Sequence, residues 1–216
     1  MKFEAVLFDC DGVLVDSEPI TSSVLREMLG ELGWHLSAKE CLEIFVGKAL
    51  KEEVVMIAEH TGRDVGADWL TEFQQRRNVA LMAQLTAIPH IHDAVARIHT
   101  DHNARIACAS GADRFKVEMQ LRKVGLMAYF EGRIFSGYET PRSKPAPDVY
   151  LAAAAALQIL PSRCAVVEDT VTGITAGVAA GATVFAYAPD GDGAALRDAG
   201  AVEVFSSMAD LPQLMH

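Results

Sequence analysis

The chain is short of the features that mark several large protein classes. Its four cysteines, Cys10, Cys41, Cys108 and Cys164, form no CxxC pair. Three of them lie in apolar, strand-like segments, so they read as reduced, buried thiols. Basic charge is scarce: 19 Lys and Arg stand against 29 Asp and Glu, for a formal net charge of −10. A nucleic-acid partner is therefore not expected, because such binders neutralise phosphates with clustered Lys and Arg. No apolar run approaches the length of a membrane span, so no membrane partner is expected either. There are no internal repeats and no low-complexity linker, and Ala152 to Ala156 is simply a good helix former. Met1-Lys2-Phe3-Glu4 runs straight into a strand-like segment. The expectation is a chain without a secretory signal, working in the cytoplasm.

What is present is an ordinary soluble composition, 216 residues with 50% hydrophobic and 22% charged side chains. That length suffices to bury about 70% of the unfolded surface, as one domain or as one domain carrying an insertion. Five short apolar runs read as buried parallel strands: Ala5 to Asp9, Arg105 to Ser110, Arg133 to Ser136, Ala165 to Asp169 and Thr183 to Tyr187. Val202 to Phe205 is a weaker sixth. Helical stretches separate them, notably Asp113 to Val124, Pro147 to Leu157 and Gly173 to Ala180. Strand–helix alternation of this kind predicts an α/β fold built on a doubly wound parallel sheet.

Between the first two strands the rhythm breaks. From Pro19 to Leu85 only amphipathic helical periodicity appears, around Thr21 to Leu32, Lys39 to Phe45, Leu50 to His60 and Trp69 to Leu85. A crossover between parallel strands needs only about a dozen residues or a little more. The excess predicts an inserted all-α subdomain over residues 17–85, hinged near Asp16–Glu18 and near Leu85–Pro89, with 1–16 and 86–216 forming the α/β core. It begins just past the first strand and is expected to hang over that strand's end as a cap, with Trp34 and Trp69 in its core.

The first strand delivers Asp9-Cys10-Asp11-Gly12. The carboxyl edge of a parallel sheet is where open α/β folds bind ligands, and Gly12 permits a sharp turn there. Adjacent carboxylates repel, so they call for a cation, a shared proton, or both. That is the chemistry of a metal-assisted nucleophile beside a general acid. An EF-hand loop also alternates acids before a glycine, but it needs a preceding helix and a closing glutamate, which do not occur here at the required spacing. A thiol nucleophile at Cys10 is disfavoured because the flanking acids would raise its pKa.

The ends of the other strands carry matching polar groups. Ser110-Gly111 offers a hydroxyl and an approachable backbone N–H. Lys144, stiffened by Pro145 and Pro147, is a fixed point charge suited to phosphate or to holding two acids together. Glu168-Asp169-Thr170 repeats the paired acids of the first loop. Carboxylates from two loops suit magnesium, which takes few of them and retains waters. With a divalent ion and one or two lysines, an acidic chain still accommodates a small anionic substrate. Of the histidines His90, His92, His99 and His102, near a helix before the second strand, surface exposure is expected rather than metal binding at His90 and His92.

Taken together, Asp9 to Glu18, Ser110, Lys144-Pro145-Ala146-Pro147-Asp148 and Glu168-Asp169 resemble, in order, the four signature motifs of the haloacid-dehalogenase-like hydrolase superfamily. The helical insertion is similar to the cap of its phosphoglycolate phosphatase and β-phosphoglucomutase branch. The stretch Phe135-Ser136-Gly137-Tyr138 is similar to sugar-phosphate phosphatases of that branch, 6-phosphogluconate phosphatases among them. The resemblance implies a Rossmann-like core and a phosphatase acting on a small phosphate ester. Asp9 would be the nucleophile that becomes an aspartyl phosphate, and Asp11 the acid and then the base. Ser110, Gly111 and Lys144 would hold the phosphoryl oxygens. Magnesium would be held by Asp9, the Asp11 backbone carbonyl and Asp169, with Glu168 or Thr170 assisting through water. In the cap, Gly47 allows a flexible loop, and Lys48 or Lys51 either reaches a substrate carboxylate or second anionic group or stands as a solvated helix-end charge. A monomer or weak dimer is expected.

Within the family, Asp11 disfavours carbon–halogen cleavage, which needs no proton for a leaving alcohol. A phosphonatase is set aside on the first motif. A β-phosphoglucomutase-like mutase remains the alternative, although Pro19-Ile20-Thr21 and Gly47-Lys48-Ala49-Leu50-Lys51 lack the histidine and arginine typical of that enzyme. A non-catalytic phosphate-binding protein is the lesser alternative, since such proteins usually lose one of the acids and Asp9, Asp11, Lys144 and Asp169 are all present.

Overall fold

In the computed structural model, the described residues are 3–45, 50–189, 191 and 193–215. The chain divides into two compact units, Met1–Asp16 with Thr86–His216, and Ser17–Leu85. The first unit is built on a six-stranded sheet of β1 (Ala5–Phe8), β2 (Ile106–Ser110), β3 (Ile134–Ser136), β4 (Cys164–Glu168), β5 (Thr183–Tyr187) and β6 (Glu203–Phe205), ordered β3-β2-β1-β4-β5-β6. Every pairing is parallel. Chain order reverses direction at β1, so the loops leaving β1, β2 and β4 emerge side by side, the arrangement that creates a ligand crevice in open α/β sheets.

The central strands are apolar up to their last residues, Ser110 in β2 and Glu168 in β4, because helices cover both faces of the sheet. Every residue of β1, β2 and β4 is buried, whereas β6 at the edge opens with the exposed Glu203. Small residues keep one face shallow. Ala5, Ala107, Ala109 and Ala186 pack with Leu7, Val166 and Val184 against Tyr150, Ala153 and Ile174. The Val171–Ala179 helix comes close to the sheet at Gly177, where a Cβ would lie 2.8 Å from Val184 Cγ2. Aromatic pairs add to this packing: Phe8 of β1 meets Phe130 of the Met127–Phe130 helix edge-on, with ring centres 5.9 Å apart, and Tyr187 of β5 meets Phe205 of β6 at 5.6 Å.

The second unit is helical: Glu18–Glu31, Ala38–Phe45, a 3-10 turn Leu50–Glu52, Val54–Thr61 and Ala67–Gln84. Its own core gathers Val24, Leu25, Met28, Leu29, Cys41, Phe45, Ile57, Val65 and Phe73, with Trp34 and Trp69 half-buried against it. The 3-10 turn interrupts what the sequence reads as one helix from Leu50 to His60. All four cysteines are buried free thiols. His90 and His92 are exposed, and His92 Nε2 lies 2.7 Å from the Val124 carbonyl oxygen, but His102 is buried, with Nδ1 3.1 Å from the Ile98 carbonyl oxygen. Among the described residues, no helix is long and apolar enough to cross a membrane.

Candidate active site

The site is assembled from the loops that follow β1, β2, β3 and β4. The β1 loop is a tight turn. Leu14 and Val15 N–H groups both donate to the Cys10 carbonyl, and Gly12 N–H donates to the Val15 carbonyl at 2.9 Å. Val13, Leu14 and Val15 are fully buried, so the apolar stretch of the motif anchors the turn while the acids face the sheet edge. Gly12 is required twice over. Its φ is +77°, and a Cβ there would lie 1.9 Å from Asp169 Oδ2. The missing side chain is what lets the β4 loop approach the β1 loop. Gly12→Ala is therefore expected to lower stability by about 1–3 kcal/mol. Thermal denaturation checks this, with Gly132→Ala as the control. Gly132 has φ +71° and nothing within 4 Å of its Cβ position, so it carries the backbone strain without the collision.

Lys144 is the hub. Its Nζ donates to Asp9 Oδ1 at 2.6 Å and to Glu168 Oε1 at 2.7 Å, and it lies 4.8 Å from the centre of the Tyr150 ring. The lysine side chain is 8% exposed and the Glu168 side chain 1%, so screening by water is slight. Glu168 is saturated with donors. Oε1 also accepts from the Tyr150 hydroxyl at 2.8 Å, and Oε2 accepts from Asp169 N, Thr170 N and Thr170 Oγ1. Gly173 makes room for this carboxylate, since a Cβ there would lie 1.8 Å from Glu168 Oε1.

The electrostatics follow from burial and this one cation. Burial pushes the Asp9 carboxyl up to about 7; Lys144 opposes the rise, while Glu168 and Asp11 add to it. Burial would also raise Glu168, but the Lys144 charge and its hydrogen bond, with those of Tyr150 and Thr170, outweigh it and hold that carboxyl below its ordinary value. Burial works against the Lys144 charge, yet Asp9 and Glu168 override it and raise the ammonium well above its usual value. The Cys10 thiol is pushed well up, first by its hydrogen bond with Cys108, then by burial and by Asp11 and Asp9. This disfavours it as a nucleophile.

Asp9, Glu168 and Asp169 each offer a carboxylate oxygen within 4.8 Å of the others, the one such group among the described residues. Lys144 bonds two of these carboxylates, Asp9 and Glu168, and the Gly12 gap brings Asp169 into the cluster. A hard divalent cation fits this all-oxygen, negatively charged donor set.

On the other side, Ser110 is buried at the end of β2 and its Oγ accepts from Ala112 N at 3.1 Å. Gly137 N donates to the Ser110 carbonyl, and Ser136 Oγ donates to the Ala112 carbonyl at 2.6 Å, which binds the β2 and β3 loops together. Ser143 is pressed into that junction: a Cβ on Gly137 would lie 2.7 Å from its Oγ, and one on Gly111 would lie 3.8 Å away. Asp11 accepts from Lys116 Nζ with both oxygens at 2.8 Å, and Oδ1 also accepts from Gln120 Nε2 at 2.9 Å.

Asp9, Asp11, Ser110, Gly111, Lys144, Glu168 and Asp169 thus come together at one sheet edge. Lys51 is exposed in the 3-10 turn of the helical unit, and Gly47 and Lys48 lie outside the described residues. Lys116, Gln120, Tyr150 and Ser143 escape the sequence reading. Lys116 and Gln120 could have been found: they fall on the same helical face as Val117 and Leu121, all four being buried in the Arg114–Lys123 helix. Polar residues at apolar positions of that stripe are the signal. Tyr150 and Ser143 have no comparable local pattern.

A haloacid dehalogenase-like hydrolase family model matches residues 3–181. The 6-phosphogluconate phosphatase of Escherichia coli K12 is 31% identical over 215 residues, spanning 99% of this chain and 95% of that protein. A crystal structure of a conserved haloacid dehalogenase-like protein of unknown function from Agrobacterium tumefaciens superposes with a TM-score of 0.85 at 33% identity, covering 99% of this chain and 97% of that one. A second, of a haloacid dehalogenase family hydrolase from Deinococcus radiodurans with bound phosphate and sodium, gives a TM-score of 0.77 at 36% identity over 97% and 93% of the chains. With its parallel sheet, its four acids and its buried lysine at one edge, the chain belongs to the haloacid dehalogenase-like hydrolase family, among its phosphatases.

Proposed function

We propose that the chain is a magnesium-dependent phosphatase that hydrolyses a small phosphorylated metabolite, of the sugar phosphate, phosphogluconate or phosphoglycolate kind, through an aspartyl phosphate at Asp9. The observation that carries this reading is the buried Lys144 bridge between Asp9 and Glu168 beside Asp169. It holds one carboxylate oxygen of Asp9 and leaves the other for phosphorus. Similarity to the E. coli phosphatase supports the phosphogluconate class.

Asp9 attacks phosphorus, forming the acyl–phosphate bond as the bond to the leaving alcohol oxygen breaks. Asp11 gives its proton to that oxygen. Water then attacks the same phosphorus, Asp11 takes the proton, and the Asp9 carboxylate is released with inorganic phosphate. Ser110 and the Gly111 N–H hold phosphoryl oxygens, and Lys144 offsets their charge. Asp9, Asp169 and the Asp11 backbone carbonyl would hold magnesium, with Glu168 anchored by Lys144, Tyr150 and the β4 loop behind them. When bound, the ion neutralises charge on the phosphoryl oxygens. To the helical unit 17–85 we assign the role of cap, which selects the substrate, with Gly47, Lys48 and Lys51 as candidate contacts to a second anionic group.

The test is inorganic phosphate release from a panel of sugar phosphates, phosphoglycolate and 6-phosphogluconate, with magnesium and with EDTA. Release is expected with magnesium, with a loss of at least about 100-fold in EDTA. Silence across the panel from folded protein would overturn the reading. Isomerised sugar phosphate without phosphate release would replace it with mutase action.

A further inference from the structure

Lys116 and Gln120 take no part in the reaction just described, yet the fold spends buried polar groups on them. Lys116 is 6% exposed and Gln120 fully buried. Lysine is almost never buried unless paired, and here its ammonium straddles both oxygens of Asp11 at 2.8 Å. The backbone beneath it is fixed. Asp113 caps the Arg114–Lys123 helix by accepting from Lys116 N at 2.9 Å, so the lysine springs from a rigid first turn. Gln120 lies one turn further on the same face. Its Oε1 accepts from the Cys10 thiol at 3.6 Å, which turns its amide nitrogen toward Asp11 Oδ1 at 2.9 Å. The loop that carries Asp11 thus supplies, through Cys10, the contact that orients the amide holding Asp11.

We propose that Lys116 and Gln120 are the positioning residues of the proton-transfer carboxylate Asp11, with Lys116 setting where its two oxygens lie and Gln120 fixing the plane of the group. This rests on the assignment of Asp11 as the acid that serves the leaving alcohol. Asp11 is a short side chain on a tight turn, and 23% of it is exposed. The two donors oppose rotation of the carboxylate toward water. Neither Lys116 nor Gln120 is proposed to touch substrate, so their removal should be felt only where Asp11 acts.

The leaving group separates this from a general structural role. An alkoxide needs a proton as it departs, whereas p-nitrophenolate does not. We would measure kcat/KM for the alkyl phosphate turned over fastest in the panel and for p-nitrophenyl phosphate, in Lys116→Met, Gln120→Leu and Asp11→Asn. Asp11→Asn should lose about 100- to 1,000-fold on the alkyl ester and less than about tenfold on the aryl ester. Lys116→Met should lose about 10- to 100-fold on the alkyl ester and under about threefold on the aryl one, and Gln120→Leu about 3- to 10-fold with the same selectivity. Lys116→Met added to Asp11→Asn should change little more, because both remove one function. Parallel losses on the two esters, unchanged alkyl turnover, or losses that multiply in the double variant would overturn the proposal. Should Lys116→Met fail to fold, Gln120→Leu carries the same test. An Asp11→Asn variant without leaving-group selectivity would sink the acid assignment itself, a different outcome from selectivity in Asp11→Asn alone.

Discussion

Asp9→Asn is expected to eliminate phosphate release, lowering kcat/KM by roughly 10,000-fold or more, while the protein melts no lower than the parent in EDTA. The first half follows from chemistry. An amide oxygen is a poor nucleophile, and neither Cys10 nor Asp11 offers a replacement. Cys10 is buried, with its thiol pushed well up by Cys108 and burial, and Asp11 is tied to Lys116 and Gln120. The second half follows from electrostatics. Asp9 is 7% exposed, and Glu168 and Asp11 both act against its charge. An amide of the same shape keeps an oxygen for Lys144 and removes the like-charge repulsion. Calorimetry beside the phosphate assay reads both. Residual turnover within about 100-fold of the parent would point to another nucleophile. A lower melting temperature with activity lost would mean that the charge itself holds the loop.

The site was legible where polar residues directly end apolar strands and less so where helices supply them. β1, β2, β4 and β5 lie wholly between layers of helices, so their sequences are unbroken apolar runs whose ends stand out against the acids, Ser110 and Tyr187. Polar residues following such runs must emerge at one edge, which is why Asp9, Asp11, Ser110 and Asp169 could be placed together without coordinates. The helices Met127–Phe130, Ala194–Asp198 and Leu211–Leu214 span four or five residues, too short for a periodicity to develop. Lys116 stands out as a polar residue on a buried helical stripe, but its partner does not. A lysine in a helix is ordinarily solvated, and only the approach of Asp11 from 105 positions away makes its burial favourable. Tyr150 sits in an alanine-rich helix, and its hydroxyl has meaning only once Glu168 is opposite it. Both are non-local pairings between the first turn of a helix and a strand end or the loop after one, and no pattern within the helix announces its partner.

The same dependence on partners makes Lys144 consequential for stability. Lys144→Met is expected to destabilise the protein by about 3–5 kcal/mol as well as abolish activity. Methionine keeps most of the stem volume and removes the charge, leaving Asp9 and Glu168 facing each other in a site where water screens little. Glu168 retains its donors from Tyr150, Asp169 and Thr170, so Asp9 bears the loss. Urea denaturation in EDTA measures the change, and an unaltered dependence on urea would confirm that the compactness of the two states is unaffected. Adding Glu168→Gln should restore part of the stability. The amide oxygen can still accept from the β4 loop, while its NH2 faces Asp9 where Lys144 had been, and a coupling of at least about 1 kcal/mol is expected. Lys144→Arg should restore stability only in part and activity hardly at all. A planar fork cannot place one nitrogen 2.6 Å from Asp9 and 2.7 Å from Glu168 in a slot shaped for an ammonium. If Lys144→Met instead unfolded at the parent's urea midpoint, the two carboxylates would have to be held by something other than this lysine. The bridge would then be a consequence of the folded site rather than one of its causes.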